Sequence, residues 1–144
     1  MIESEAPKAR LLAVDDNSDS AELIVRVASK CGYEARPMTD LRPLRSVLEE
    51  WKPHVLTLDL VMPQEDGIAI LSVLKESQFS GTLIIISGQD DWLRETAGRL
   101  ASACGLNVAH HLSKPIDLKE LRGVLSDLMA AAGGQEQLQR SAQG

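Results

Sequence analysis

A chain of 144 residues, 44% hydrophobic and 25% charged, is long enough for one domain with a real core and leaves little room for a second. Its formal charge of −6 offers no basic surface to displace counterions from phosphates, which excludes nonspecific nucleic-acid binding. No apolar stretch approaches the ~20 residues of a membrane span. The start Met1-Ile2-Glu3-Ser4-Glu5 lacks the basic end and apolar centre of a signal peptide, so a cytoplasmic location without a membrane partner is expected.

The first nine residues are polar and charged and are predicted to form a disordered arm. The apolar run Arg10–Val14 is predicted as a strand and ends in the acidic pair Asp15-Asp16; apolar residues at helical spacing follow over Ser18–Cys31. Gly32 has the place of a helix C-cap. A second strand over Glu34–Met38 precedes a helix over Leu41–Trp51, and a third over Val55–Leu60 carries Asp59 near its end. After a predicted helix over Gly67–Gln78, the fourth strand, Leu83–Ile86, runs into Ser87-Gly88. A helix over Asp91–Cys104, closed by Gly105, leads to the fifth strand, Val108–Leu112, and then to Ser113-Lys114-Pro115. With Asp117 as N-cap, the last helix covers Leu118–Met129. The folded domain is expected over 10–130, and 131–144, rich in Ala, Gly, Gln and Ser, as a flexible tail or linker remnant. Five alternating strand and helix units imply a five-stranded parallel sheet with helices on both faces and right-handed crossovers. Cys31 and Cys104, two isolated cysteines without metal-type spacing, read as buried thiols.

In such a sheet the polar exceptions all fall at the carboxyl end of successive strands, where open α/β folds place their chemistry. Asp15, Asp16 and Asp59 would meet there. Unpartnered carboxylates in contact repel by roughly 4 kcal/mol per pair at an effective dielectric of 20, so an oxygen-liganded cation such as Mg²⁺ is the natural counterweight. A carboxylate nucleophile, a metal, a hydroxyl (Ser87) and an ammonium (Lys114) suit phosphoryl transfer: Asp59 attacks in line to form an acyl phosphate, and Lys114 and the metal neutralise the phosphoryl oxygens. An activated donor such as a phosphohistidine would supply the driving force, leaving positioning and electrostatics to the protein.

From Leu11 to Met129 the sequence resembles the receiver domain of two-component response regulators. The resemblance is carried by Val14-Asp15-Asp16, by Asp59 followed by Met62-Pro63 and Asp66-Gly67, by Ser87-Gly88 and by Ser113-Lys114-Pro115, in the family's order. It implies a doubly wound, flavodoxin-like strand order 2-1-3-4-5, Asp59 as phosphoacceptor, and Mg²⁺ bound by Asp16, Asp59 and the backbone carbonyl of Val61, with Asp15 completing the acidic pocket. It further implies that Lys114 contacts the phosphoryl group, that Ser87 turns toward it, and that the Lys114–Pro115 peptide is cis. Such a domain is a phosphoacceptor rather than an enzyme acting on other substrates. Its expected partners are a sensor histidine kinase or phosphotransfer protein and a downstream output domain or protein, with a homodimer left open.

Several features depart from the family. His111 stands where it usually carries a switching Tyr or Phe, bringing a titratable ring to that position. His110-His111 do not suit a shared metal, because neighbouring side chains of a strand face opposite ways. Val61, two residues beyond Asp59, has no group to orient the water that hydrolyses the acyl phosphate, which predicts a long-lived phosphorylated form; Gln89 is the alternative source of an amide. The interval from Ser87 to Lys114 is several residues longer than in common receivers and resembles receivers that precede cyclic-di-GMP phosphodiesterase domains. No catalytic phosphodiesterase segment follows, so that activity is not expected. Competing functions fit less well. A haloacid-dehalogenase-like phosphatase needs an Asp-x-Asp that Asp15-Asp16-Asn17-Ser18 does not offer, and Asp15, Asp16 and Asp19 would repel a flavin phosphate. An interaction module that keeps the pocket but works without phosphorylation is the remaining alternative.

Overall fold

The computed structural model describes residues 8–59, 64–88 and 91–143, with side chains described outside 64–68, 91–94 and 132–143. Five strands, β1 (Arg10–Val14), β2 (Glu34–Met38), β3 (Val55–Asp59), β4 (Thr82–Ser87) and β5 (Asn107–Ser113), alternate with five helices. The helices are α1 (Ser18–Lys30), α2 (Leu44–Glu50), α3 (Gln64–Glu76), α4 (Asp91–Ala103) and α5 (Leu118–Gln143). The strands form one sheet, parallel throughout as the alternation predicts, in the order β2-β1-β3-β4-β5 that the resemblance implies.

Alternation along the strands divides the core in two. Leu12, Val14, Leu56, Leu58, Leu83 and Ile85 face α2, α3 and α4, where they meet Leu48, Leu74 and Ala101. Leu11, Ala13, Val55, Ile84 and Ile86 face α1 and α5, against Ile24, Ala28, Leu121 and Leu125. Because β3 and β4 lie inside the sheet and are covered on both faces, they read as unbroken apolar runs. Burying one such leucine or isoleucine side chain contributes about 1.5–3 kcal/mol. Cys31 and Cys104 are free thiols, half-buried rather than fully enclosed.

β5 is irregular. Leu83 pairs with Val108 but Ile84 with His110, so Ala109 is an extra residue, a bulge. Val108 packs toward the α4 side, whereas Leu112 belongs to the α1 and α5 side. The phase of the strand therefore changes at Ala109.

Helix ends follow local chemistry. The side chain of Asn17 accepts a hydrogen bond from the Ser20 N–H at 3.0 Å and caps α1, and Asp117 Oδ1 accepts from the Lys119 N–H at 2.9 Å at the start of α5. Gly32 and Gly105 have φ of 99° and 76°, the left-handed conformation that closes a helix. Lys52 (52°) and Gln78 (56°) take the same role after α2 and α3 without being glycine.

Some boundaries differ from expectation. α2 begins at Leu44 rather than Leu41, with Pro43, whose nitrogen carries no proton to donate, at its N-cap. α3 begins at Gln64, ahead of the expected Gly67. α5 runs past the expected Met129 to Gln143, since Ala, Gln, Glu, Leu and Arg are sound helix formers and outweigh Gly133 and Gly134. Of the predicted N-terminal arm, 1–7 lies outside the described residues. Sheet pairing reaches Ala9, whose carbonyl accepts from the Glu34 N–H at 2.8 Å.

Candidate functional site

Parallel strands of similar length bring their carboxyl ends to one edge, and the predicted polar residues gather there. Asp15, directly after β1, and Asp59, the last residue of β3, are each only 1% exposed, and Ser87 at the end of β4 is fully buried; Asp16 is exposed. One carboxylate oxygen from each of Asp15, Asp16 and Asp59 lies within 4.8 Å of the others. Lys114, following β5, reaches in: its Nζ is 2.6 Å from Asp59 Oδ2. Its backbone N–H donates to the Ser87 carbonyl at 2.8 Å, tying the ends of β4 and β5 together. The Lys114–Pro115 peptide is cis, as expected.

The electrostatics of the pocket are uneven. Burial pushes the Asp15 carboxyl from the ordinary 3.8 up to about 6; the Asn17 N–H, donating to Oδ1 at 2.9 Å, opposes this, while the adjacent Asp59 carboxyl adds to it and Lys114 subtracts. Asp15 Oδ2 is buried with no hydrogen-bond partner among the described residues. An orphaned buried carboxylate oxygen beside two further carboxylates is an all-oxygen donor set that fits a hard divalent cation. Lys114 neutralises part of the charge through its bond to Asp59, so Asp15 and Asp16 are the carboxylates that a further cation would have to balance. Removing either member of the Lys114–Asp59 pair would strand a charge in a largely buried position.

Asp15, Asp16, Asp59, Ser87 and Lys114 are thus brought to one edge. Val61, Met62-Pro63 and Gln89 lie outside the described residues, as does the side chain of Asp66. His111 is exposed on the α4 side of β5; a Cβ added at Gly98 would lie 3.4 Å from its Cε1, so the ring rests against α4 where that helix has no side chain. His110 and His111 do face opposite sides of the sheet, since they pair with Ile84 and Ile85 of the two separate core halves. Asn17, not anticipated from the sequence, both caps α1 and holds Asp15; its signal was an Asn directly ahead of a helical pattern.

A doubly wound parallel domain with three carboxylates and a lysine at the carboxyl edge of its sheet defines a signalling domain of the receiver type. The family model described as the response regulator receiver domain matches residues 11–126, and the chain belongs to that family, with a place in two-component signalling. A response regulator from Colwellia psychrerythraea has a similar structure, with a TM-score of 0.75 and 30% identity over 83% of this chain and 95% of that one. Among curated proteins, response regulator MprA of Mycolicibacterium vanbaalenii is 28% identical over 112 residues, 78% of this chain and 46% of the relative. The DNA-binding transcriptional regulator NtrC of a Bradyrhizobium species is 26% identical over 124 residues, 86% of this chain and 25% of the relative. The chain thus spans less than half the length of these two curated relatives. Among the described residues, no helix is long and apolar enough to cross a membrane.

Proposed function

We propose that Asp59 accepts a phosphoryl group from a sensor histidine kinase or phosphotransfer protein in a magnesium-dependent reaction, and that the change at Asp59 alters a partner-binding surface. The observation that carries this reading is the Lys114 ammonium 2.6 Å from Asp59 Oδ2, beside two further carboxylates at the edge of a parallel sheet. An Asp59 carboxylate oxygen attacks the donor phosphorus, the phosphorus–nitrogen bond of the phosphohistidine breaks, and its electron pair returns to the donor imidazole. Asp15, Asp16 and Asp59, with the Val61 carbonyl, would hold Mg²⁺, which when bound supplies positive charge to the phosphoryl oxygens. Lys114 orients the acceptor and meets charge developing on the transferred group, and Ser87 turns its hydroxyl toward the product.

The bond from the Lys114 N–H to the Ser87 carbonyl supports coupling of these two groups to α4, β5 and α5, the face expected to meet an output domain or protein. His111, against Gly98, is the candidate switch ring on that face. A cyclic-di-GMP-linked output rests on the long Ser87–Lys114 interval alone. A cytoplasmic setting suits a kinase-fed acceptor. Incubation of the chain with a labelled small phosphodonor and Mg²⁺ tests the reading. Label should appear in the wild type, vanish with chelator, and be absent from Asp59→Asn while its circular dichroism is unchanged. Equal labelling of Asp59→Asn would move the acceptor elsewhere, and an unlabelled wild type would favour an interaction module that works without phosphorylation.

A further inference from the structure

The acceptor site uses the carboxyl ends of the strands, and their amino ends frame a second concavity. A groove of about 700 Å³ lies there, between the starts of β1, β3 and β4 and the turns that close α2 and α3. That volume is in the range of small-molecule sites, ~300–1,000 Å³. Strands of this length separate it from Asp59 by roughly 17–20 Å.

Its lining is unusual for a chain of net charge −6. Among the described residues, two cations, Arg10 and Lys52, border it with one carboxylate, Glu49. Arg10 is pinned, donating from Nε at 3.2 Å and Nη2 at 3.0 Å to the Lys52 carbonyl, and among the described residues Nη1 has no hydrogen-bond partner. Neither Arg10 nor Lys52 has a carboxylate partner among the described residues. Ser77 also lines the groove, and its Oγ is buried without a hydrogen-bond partner among the described residues. Thr82 and the Gln78 amide add further polar groups, and the half-buried Phe79 supplies a ring.

Backbone choice at this pole is also uneven. Of the four helix ends closed by a left-handed residue among the described residues, the two that use glycine lie elsewhere, while Lys52 and Gln78, the two that do not, both border the groove. A non-glycine residue in that conformation costs about 1–2 kcal/mol, which a side chain kept for binding would offset. Gly81 lets the segments ahead of β3 and β4 approach closely at the groove: a Cβ there would stand 2.4 Å from the His54 carbonyl oxygen and 2.8 Å from Phe79 Cζ.

Two unpaired cations, hydroxyl and amide groups, and an aromatic ring together fit a phosphorylated ring compound. We propose that this groove binds a nucleoside triphosphate, its phosphates held by Arg10 and Lys52 and its base against Phe79. The site is independent of phosphoryl acceptance at Asp59.

The test is amide NMR of the full chain titrated with ATP in metal-free buffer, with adenosine and inorganic pyrophosphate as separate probes. ATP should shift Lys52, Gln78 and Thr82 saturably, leave Asp15 and Ser87 in place, and bind equally well to Asp59→Asn. Pyrophosphate should bind more weakly at the same residues, and adenosine more weakly still. Lys52→Gly keeps the left-handed turn and removes the ammonium, so it should fold at least as stably yet bind ATP about tenfold less tightly. Lys52→Gln should weaken binding similarly. The proposal is overturned if ATP produces no saturable shift at the groove, if its shifts centre on Asp15 and Ser87, or if Lys52→Gly and Lys52→Gln bind like the wild type.

Discussion

Replacing Asp15 by asparagine isolates the cost of crowding carboxylates at the sheet edge. Burial and the neighbouring Asp59 raise the Asp15 carboxyl from 3.8 to about 6, so the folded chain holds this proton more tightly than the unfolded chain. The stabilising contribution is complete below pH 3.8 and is lost as pH rises through about 6. A difference of about two pH units is worth about 3 kcal/mol. The substituted amide would keep an oxygen for the Asn17 N–H but has no proton to lose. In the presence of chelator, Asp15→Asn should therefore exceed the wild type in stability by up to about 3 kcal/mol near pH 8, and the difference should shrink toward pH 4. Urea unfolding followed by circular dichroism across that range measures both curves. Added Mg²⁺ should stabilise the wild type at neutral pH and the variant much less, because the ion binds only the folded cluster. Parallel pH curves for the two proteins, or equal stabilisation by Mg²⁺, would refute the assignment of the strain to Asp15.

Tyr33, buried and donating its hydroxyl to the Leu125 carbonyl at 2.8 Å, has its phenol pushed up to about 12, first by burial and then by Cys31. Tyr33→Phe should cost about 1 kcal/mol at neutral pH; in the wild type the corresponding stability should be full below pH 10.0 and fall toward about 12, as followed by ultraviolet titration. Gly81→Ala should lose about 2–3 kcal/mol in chemical denaturation, since the new methyl would meet the His54 backbone, which cannot swing aside, as well as the Phe79 ring. Val61→Asn should shorten the lifetime of the phosphorylated chain, measured by loss of label; equal lifetimes would remove the role assigned to valine.

Much of the site was legible because a parallel sheet aligns strand ends: locating five strands in sequence places Asp15, Asp59, Ser87 and Lys114 on one edge without any knowledge of packing. β3 and β4 were clear as apolar runs covered on both sides. Even the edge strand β2, with Pro37 as its fourth residue, was found at its observed limits. What periodicity could not show was the depth of each acid, since Asp15 and Asp16 are neighbours in sequence yet one is buried and the other exposed. Nor could it show where α5 stops, because composition that suits a linker also propagates a helix once a packed segment has nucleated it. The bulge at Ala109 left no mark either: the surrounding Val, Ala and His residues fit either phase of the strand.

That single inserted alanine decides what β5 delivers. Counting in twos from Val108, an unbroken strand would turn His110 toward α4 and carry Lys114 to the side of the sheet away from Asp59. The slip exchanges the two imidazoles and returns the ammonium to the acceptor's face. A chain that threaded Ala109 into the regular ladder would be miswired at both outputs at once, with the wrong ring toward α4 and no cation over the acceptor.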